Sequence, residues 1–216
     1  MAVLPVKRFA AAKRRLDNGL SDGTRRALAE AMVTDVLIAL RRAKRVDGVI
    51  VVSGESTAVA LAAGYDATAV VDDPDDAGHS AAALRGVGEA IARGARRALL
   101  VPGDCPALDP AEVDALLARP LQDRDVVVVP DRHGDGTNAL LLTPPDAMEP
   151  SFGPGSRARH EEMARAAGAT VTAIDVPTLG LDVDTVDDLD ALRAALERIR
   201  GGASHTRGLL ARVGRR

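Results

Sequence analysis

Three local features of the chain carry residues whose types and spacing could do chemistry. In Val101-Pro102-Gly103-Asp104-Cys105-Pro106 a carboxylate follows directly on an apolar run, with Gly and Pro enforcing a turn. Open α/β sheets bind ligands beyond the carboxyl ends of their strands, so Asp104 is well placed to hold a metal; a turn-capping Asp is the plainer reading. In Leu181-Asp182-Val183-Asp184-Thr185 the two aspartates are two residues apart and share a face of an extended segment. Hard carboxylate oxygens of this kind suit Mg²⁺. Capping of the helix that follows accounts for Thr185 but not for both aspartates. The third feature is a pair of loops, Asp131 to Asn138 and Phe152 to Arg157, rich in Gly and in hydroxyl or amide side chains. Gly allows close backbone approach to an anion, Thr137 and Ser156 add hydroxyl donors, and the second loop opens a helix whose first amides favour negative charge. An ordinary turn and an ordinary helix start are the alternatives.

A basic segment, Lys7 to Arg15, follows the first apolar run, and Lys7 and Lys13 could neutralise a triphosphate. For Arg14 a solvated turn is the better reading. The chain has no Walker sequence, no Gly-x-Ser-x-Gly elbow and no metal spacing among His79, His133, His160 and His205. Its single cysteine, Cys105, excludes an internal disulfide and reads as a packed small residue. A net charge of −3 gives no global field for nucleic acid, and 1% aromatic residues leaves little to stack bases on. The apolar stretches are short and broken by charge, so no membrane association is expected, and the N-terminus lacks the apolar core of a secretion signal. The expected location is the cytoplasm.

The elements that must position these residues alternate. Strands are expected at Ala2–Val6, Gly48–Ser53, Ala69–Val71, Ala98–Pro102, Asp125–Val129, Asn138–Leu142 and Thr170–Ile174. Several are continuously apolar, which suits strands covered on both faces in a mostly parallel sheet. Helices are expected from Ser21/Asp22 to Ala43, Ser80 to Ala95, Asp109-Pro110 to Ala118, Arg157 to Ala167 and Thr185 to Arg198. The result is one α/β domain over residues 1–200, followed by a disordered basic tail over 201–216. The Ala-rich helix faces could pack within the domain or against a second copy as a homodimer.

In combination the motifs are more specific. Pro5-Val6-Lys7 with Ala12-Lys13-Arg14-Arg15-Leu16, Gly103-Asp104-Cys105-Pro106-Ala107-Leu108, Asp131-x-x-Gly-x-Gly-Thr-Asn138, Phe152-Gly153-Pro154-Gly155-Ser156-x-x-x-His160 and Asp182-Val183-Asp184-Thr185 occur in one order. Together they resemble the guanylyltransferases of coenzyme F420 biosynthesis, which act on phosphoenolpyruvate or 2-phospho-L-lactate. The likeness runs from residue 2 to about 195. It implies a Rossmann-like, glycosyltransferase-A-like nucleotidyltransferase fold with an inserted β-hairpin. It implies GTP and a small phosphorylated acid as substrates, and a downstream transferase that consumes the activated product. By this resemblance Pro5, Lys7, Lys13, Gly78, Ser80 and Gly103 meet the nucleotide, and Lys7, Lys13 and Asp104 are catalytic. Thr137, Gly153 and Ser156 hold the acid, and Mg²⁺ sits at Asp104 with Asp184, favoured over Asp182. This chain has Gly78-His79-Ser80 where the family often has Gly-Leu-Asn, and a serine offers fewer hydrogen-bonding groups than an amide. Rival readings are a molybdenum-cofactor guanylyltransferase, a sugar-phosphate cytidylyltransferase, or a non-catalytic nucleotide-binding domain.

Overall fold

The computed structural model describes residues 1–9, 13, 16, 20–71, 78–199 and 201–213. Arg14 and Arg15 lie outside them. The seven expected strands form one sheet: β1 (Ala2–Pro5), β2 (Val49–Ser53), β3 (Thr68–Val71), β4 (Ala98–Leu100), β5 (Asp125–Pro130), β6 (Thr137–Thr143) and β7 (Thr170–Ala173). Their order is β3-β2-β1-β4-β6-β5-β7. β6 alone runs against its neighbours β4 and β5, and the other pairings are parallel. The β-hairpin takes the form of β5 and β6, which lie inside the main sheet.

The continuous apolar runs have the expected cause. Ala2 and Leu4 of β1 face one core cluster with α1 (Asp22–Arg42), α2 (Ser56–Gly64) and α4 (Pro110–Leu117). Val3 faces a second cluster with α3 (His79–Ala92) and α5 (Ser156–Ala166). Alternate residues of each strand therefore enter different cores, and both must be apolar. Burying each such Val or Leu stabilises the fold by about 1.5–3 kcal/mol.

Three of the expected helix starts carry side-chain caps, while α3 and α5 begin at Gly78 and Gly155 without one. Ser21 accepts the Thr24 amide. Asp109 accepts the Ala111 amide with Pro110 opening α4. Thr185 and Asp188 form a reciprocal capping box at the head of α6 (Val186–Arg198). α2 was not expected, and it begins with no side-chain cap.

The C-terminal stretch needs correction. Residues from Ser204 to Val213 form a helix, α7, where a disordered tail was expected. Its first-turn amides are satisfied from far away in sequence: the Asp35 carboxylate of α1 accepts from the amides of His205 at 3.1 Å and Thr206 at 2.8 Å. Leu209 and Leu210 pack against a third apolar cluster that includes Leu28, Met32, Leu192 and Leu196. Basic composition hid an apolar stripe whose docking site lies on α1.

At Gly86, in α3, a Cβ would come within 2.2 Å of Val3 Cγ1 and 3.1 Å of Val52 Cγ2. The helix lies directly on β1 and β2 there because nothing stands between them. Gly86→Ala is expected to destabilise the protein by about 1–3 kcal/mol, since the strands cannot retreat from a packed core. Urea denaturation reads this, and an unchanged midpoint would show that α3 can lift without loss.

Candidate active site

The reversal of β6 builds the site. β4 and β6 pair antiparallel with Leu100 opposite Leu140. The start of β6, Thr137 and Asn138, therefore emerges at the same sheet edge as the carboxyl ends of β1 and β4. A cavity of about 410 Å³ opens at this edge. Of the expected residues, Pro5, Lys7, Lys13, Ser80, Gly103, Asp104, Thr137, Gly153, Asp182 and Asp184 line it. Gly78 and Ser156 do not: Gly78 is the residue before α3, and Ser156 is the buried first residue of α5. Its hydroxyl has no hydrogen-bond partner among the described residues.

Charge is concentrated at the floor of the cavity. The Lys13 ammonium donates to Asp104 Oδ2 at 2.6 Å and to Asp184 Oδ1 at 3.0 Å. Burial would lower the Lys13 pKa, but the two carboxylates reverse this and raise it, so the ammonium stays charged. For Asp104 burial pushes upward, and the Lys13 charge and hydrogen bond outweigh it and hold the carboxyl below its usual range. Asp182 lacks such a partner. Burial first, and the Asp104 charge second, raise its pKa to about 6. Asn138 Nδ2 donates to Asp182 Oδ1 at 3.1 Å and to the Leu179 carbonyl at 2.8 Å, which anchors that strand of acid residues. Asp184 is set by its neighbour: its amide donates to Asp188 Oδ2 at 3.0 Å, within the α6 capping box.

The donor chemistry fits a hard divalent cation in part. Asp104 Oδ1 is buried with no hydrogen-bond partner among the described residues, and the Asp184 side chain is half exposed. Two carboxylates with a spare oxygen match the usual Mg²⁺ arrangement of one or two protein ligands plus phosphate and water. Among the described residues no group of three such side chains converges as a protein-only metal cage. In this structure Lys13 supplies the positive charge between the two aspartates.

The two Gly-rich loops work differently from expectation. Their amides are largely consumed by the protein. Asp131 accepts from the amides of His133, Asp135 and Gly136 at 3.1–3.2 Å. Asp135 Oδ2 accepts the Gly155 amide at 3.0 Å, and its carbonyl accepts the Arg157 amide at 3.1 Å. The Ser156 amide donates to the Gly153 carbonyl. The amides of Gly155, Ser156 and Arg157 at the head of α5 are thus already paired, and the side chains at this edge that can meet an anion include Lys7, Lys13 and the Thr137 hydroxyl. The carboxylates brace the loops. Gly153, at φ +124°, makes the bend that brings the second loop to the cavity.

Spacing alone does not single out Phe9, His79, Asn138 or Phe152, yet all line the cavity. Phe152 packs edge-on against His79, with ring centroids 4.8 Å apart. Burial, then the Lys7 charge, lowers the His79 pKa to about 4, so this ring is neutral. Ser80 Oγ accepts the Phe152 amide at 2.9 Å and so ties the head of α3 to the second loop. Cys105 is fully buried with its thiol toward the Leu179 carbonyl, and burial raises its pKa, as suits a packing residue.

A match to the family described as Guanylyl transferase CofC like spans residues 1–214. The chain belongs to this family. It is 57% identical over 210 residues to the phosphoenolpyruvate guanylyltransferase of Conexibacter woesei, covering 97% of this chain and 94% of that one. It is 34% identical over 212 residues to the 2-phospho-L-lactate guanylyltransferase of Methanothermobacter thermautotrophicus, covering 98% and 90%. Its fold is similar to that of a putative nucleotide-diphospho-sugar transferase from Desulfovibrio desulfuricans G20, with a TM-score of 0.75 at 19% identity over 98% of this chain and 93% of that one. The same α/β architecture thus serves this guanylyl transferase family. Among the described residues no helix is long and apolar enough to cross a membrane.

Removing one member of the Lys13 triad leaves a poorly solvated charge behind. Lys13→Met is expected to cost about 3 kcal/mol in urea denaturation, and Lys13→Met combined with Asp104→Asn to recover most of it. Equal stability of the single variant and the wild type would show that water already solvates Asp104.

Proposed function

We propose that this protein transfers the guanylyl group of GTP to phosphoenolpyruvate or 2-phospho-L-lactate, releasing pyrophosphate, as a step toward coenzyme F420. The observation that carries the reading is one cavity lined by Lys7, Lys13, Asp104 and Asp184 together with Gly153 and with Thr137 at the start of the reversed strand β6. The names of the two relatives supply the acid, and the higher identity of the first favours phosphoenolpyruvate.

In this reading a phosphate oxygen of the acid attacks the α-phosphorus of GTP in line. The bond from that phosphorus to the bridging oxygen of the β-phosphate breaks, and pyrophosphate leaves. The attacking group is already an anion, so no general base is needed, and the rate comes from positioning and charge neutralisation. Pro5, Gly103 and Lys7 would flank the triphosphate, with Gly78 and Ser80 toward the base. Lys13 would turn its charge to the phosphates. Asp104 and Asp184, with Asp182 behind them, would hold Mg²⁺, which when bound supplies positive charge to the phosphate oxygens. Thr137 and Gly153, which line the cavity, would receive the acid's phosphate and carboxylate, and the buried Ser156 hydroxyl would reach the acid once the loop before α5 shifts. The product is an activated diphosphate-linked acid that a downstream transferase would consume.

Pyrophosphate release from GTP and Mg²⁺, assayed with each acid and the consuming enzyme, tests the reaction. Release with one acid is expected, falling by about two orders of magnitude or more in Asp104→Asn and with a chelator present. Full turnover in either case would remove the metal role. A panel of GTP, CTP and ATP tests the base, because Ser80 is partly engaged by the Phe152 amide.

Ser156→Ala makes a separate test. Its hydroxyl has no partner to lose, so stability is expected to stay within about 0.5 kcal/mol while the KM for the acid rises about tenfold. An unchanged KM would place the acid elsewhere.

A further inference from the structure

Resting on the acid site proposed above, we infer that His160 is a positioning residue that locks the Thr137 hydroxyl as a hydrogen-bond donor to an anionic oxygen of the acid substrate. His160 lies on α5 and is fully buried. Its Nε2 accepts the backbone amide of Ser151 at 2.9 Å. An amide can only donate, so Nε2 carries a lone pair and the neutral ring carries its proton on Nδ1. That Nδ1 lies 3.0 Å from Thr137 Oγ1. The ring therefore donates to the threonine oxygen, and the threonine proton must point elsewhere. Among the described residues no other group accepts it, and Thr137 lines the cavity. The proton is free for a ligand oxygen.

The ring is held in this arrangement from several sides. Phe152 packs edge-on against it, with centroids 5.2 Å apart and planes at 76°. Burial, with the Arg159 charge second, lowers its pKa to about 4, so it stays neutral at neutral pH. Ser156, four residues earlier, lies on the same buried face of α5, and its hydroxyl has no hydrogen-bond partner among the described residues. A site whose hydroxyl is compelled to donate discriminates. It accepts a carboxylate or phosphate oxygen and loses affinity for a ligand that offers only a hydroxyl hydrogen.

The experiment has two independent readouts on the full chain. First, nitrogen-15 NMR of the ligand-free protein is expected to show the His160 ring as the Nδ1–H tautomer. An Nε2–H ring would overturn the inference whatever the enzyme catalyses. Second, steady-state pyrophosphate release is measured for His160→Phe, His160→Asn and Thr137→Val. In His160→Phe the KM for the acid is expected to rise about tenfold to a hundredfold, with the KM for GTP changed less than about twofold. His160→Asn keeps an N–H near the Nδ1 position and is expected to rescue the acid KM to within about threefold of wild type. Adding His160→Phe to Thr137→Val should cause no further rise, because both changes remove one interaction. A folded His160→Phe enzyme with wild-type acid KM, or additive effects in the double variant, would overturn the role. If the wild type itself releases no pyrophosphate with either acid, the guanylyl-transfer reading fails instead, and the tautomer still decides the orientation of Thr137.

Discussion

Three carboxylates gathered at one sheet edge repel each other, and the Lys13 ammonium between Asp104 and Asp184 makes their proximity tolerable. Like charges a few ångströms apart in a poorly solvated cleft are costly, and one buried cation offsets two of them at once. The third, Asp182, bears the remaining strain as a raised pKa and leans on the Asn138 amide. The same arrangement joins segments 91 and 171 residues apart in the chain. The site is therefore a long-range electrostatic closure of the sheet edge, and the surrounding loops must accommodate it.

Strand reversal supplies the opposite wall. In an all-parallel sheet the start of a strand would lie at the far edge from the ends of β1 and β4. By running backwards, β6 delivers a threonine and an asparagine beside Asp104 without a long connection. The loops before β6 and α5 are then braced by acidic side chains: Asp131 within its own turn, Asp135 across to Gly155. Carboxylates that hold backbone amides brace these loops and leave the Thr137 hydroxyl at the cavity.

Much of this was legible in the sequence, because local physics wrote it there. Continuous Val, Ile and Leu runs mark strands buried on both faces, and Ser21, Asp109 and Thr185 mark helix starts. Asp104 could be found because it follows an apolar run at a turn, and the Asp182/Asp184 pair because its spacing puts both carboxylates on one face of an extended segment. What the sequence hid depended on partners far away. Helix α7 needs Asp35 and the apolar cluster on α1, so its own residues read as a polar tail. The use of the α5 amides by Asp135 and Gly153 could not be told from an open anion cradle. His160 shows its importance only when the Ser151 amide and the Thr137 hydroxyl are seen on either side of its ring.

The docking of α7 has a consequence for how the protein comes into being. Met32 lines the cavity and also belongs to the cluster that α7 covers, while Asp35, nearly one turn further along α1, is the acceptor for α7's first amides. Helix α1 is synthesised well before α7. Domains mature as the nascent chain emerges, so the face of α1 that carries Met32 lacks part of its apolar packing until α7 has been made. One helix thus serves two masters, presenting Met32 to the cavity and Asp35 to a segment made some 170 residues later.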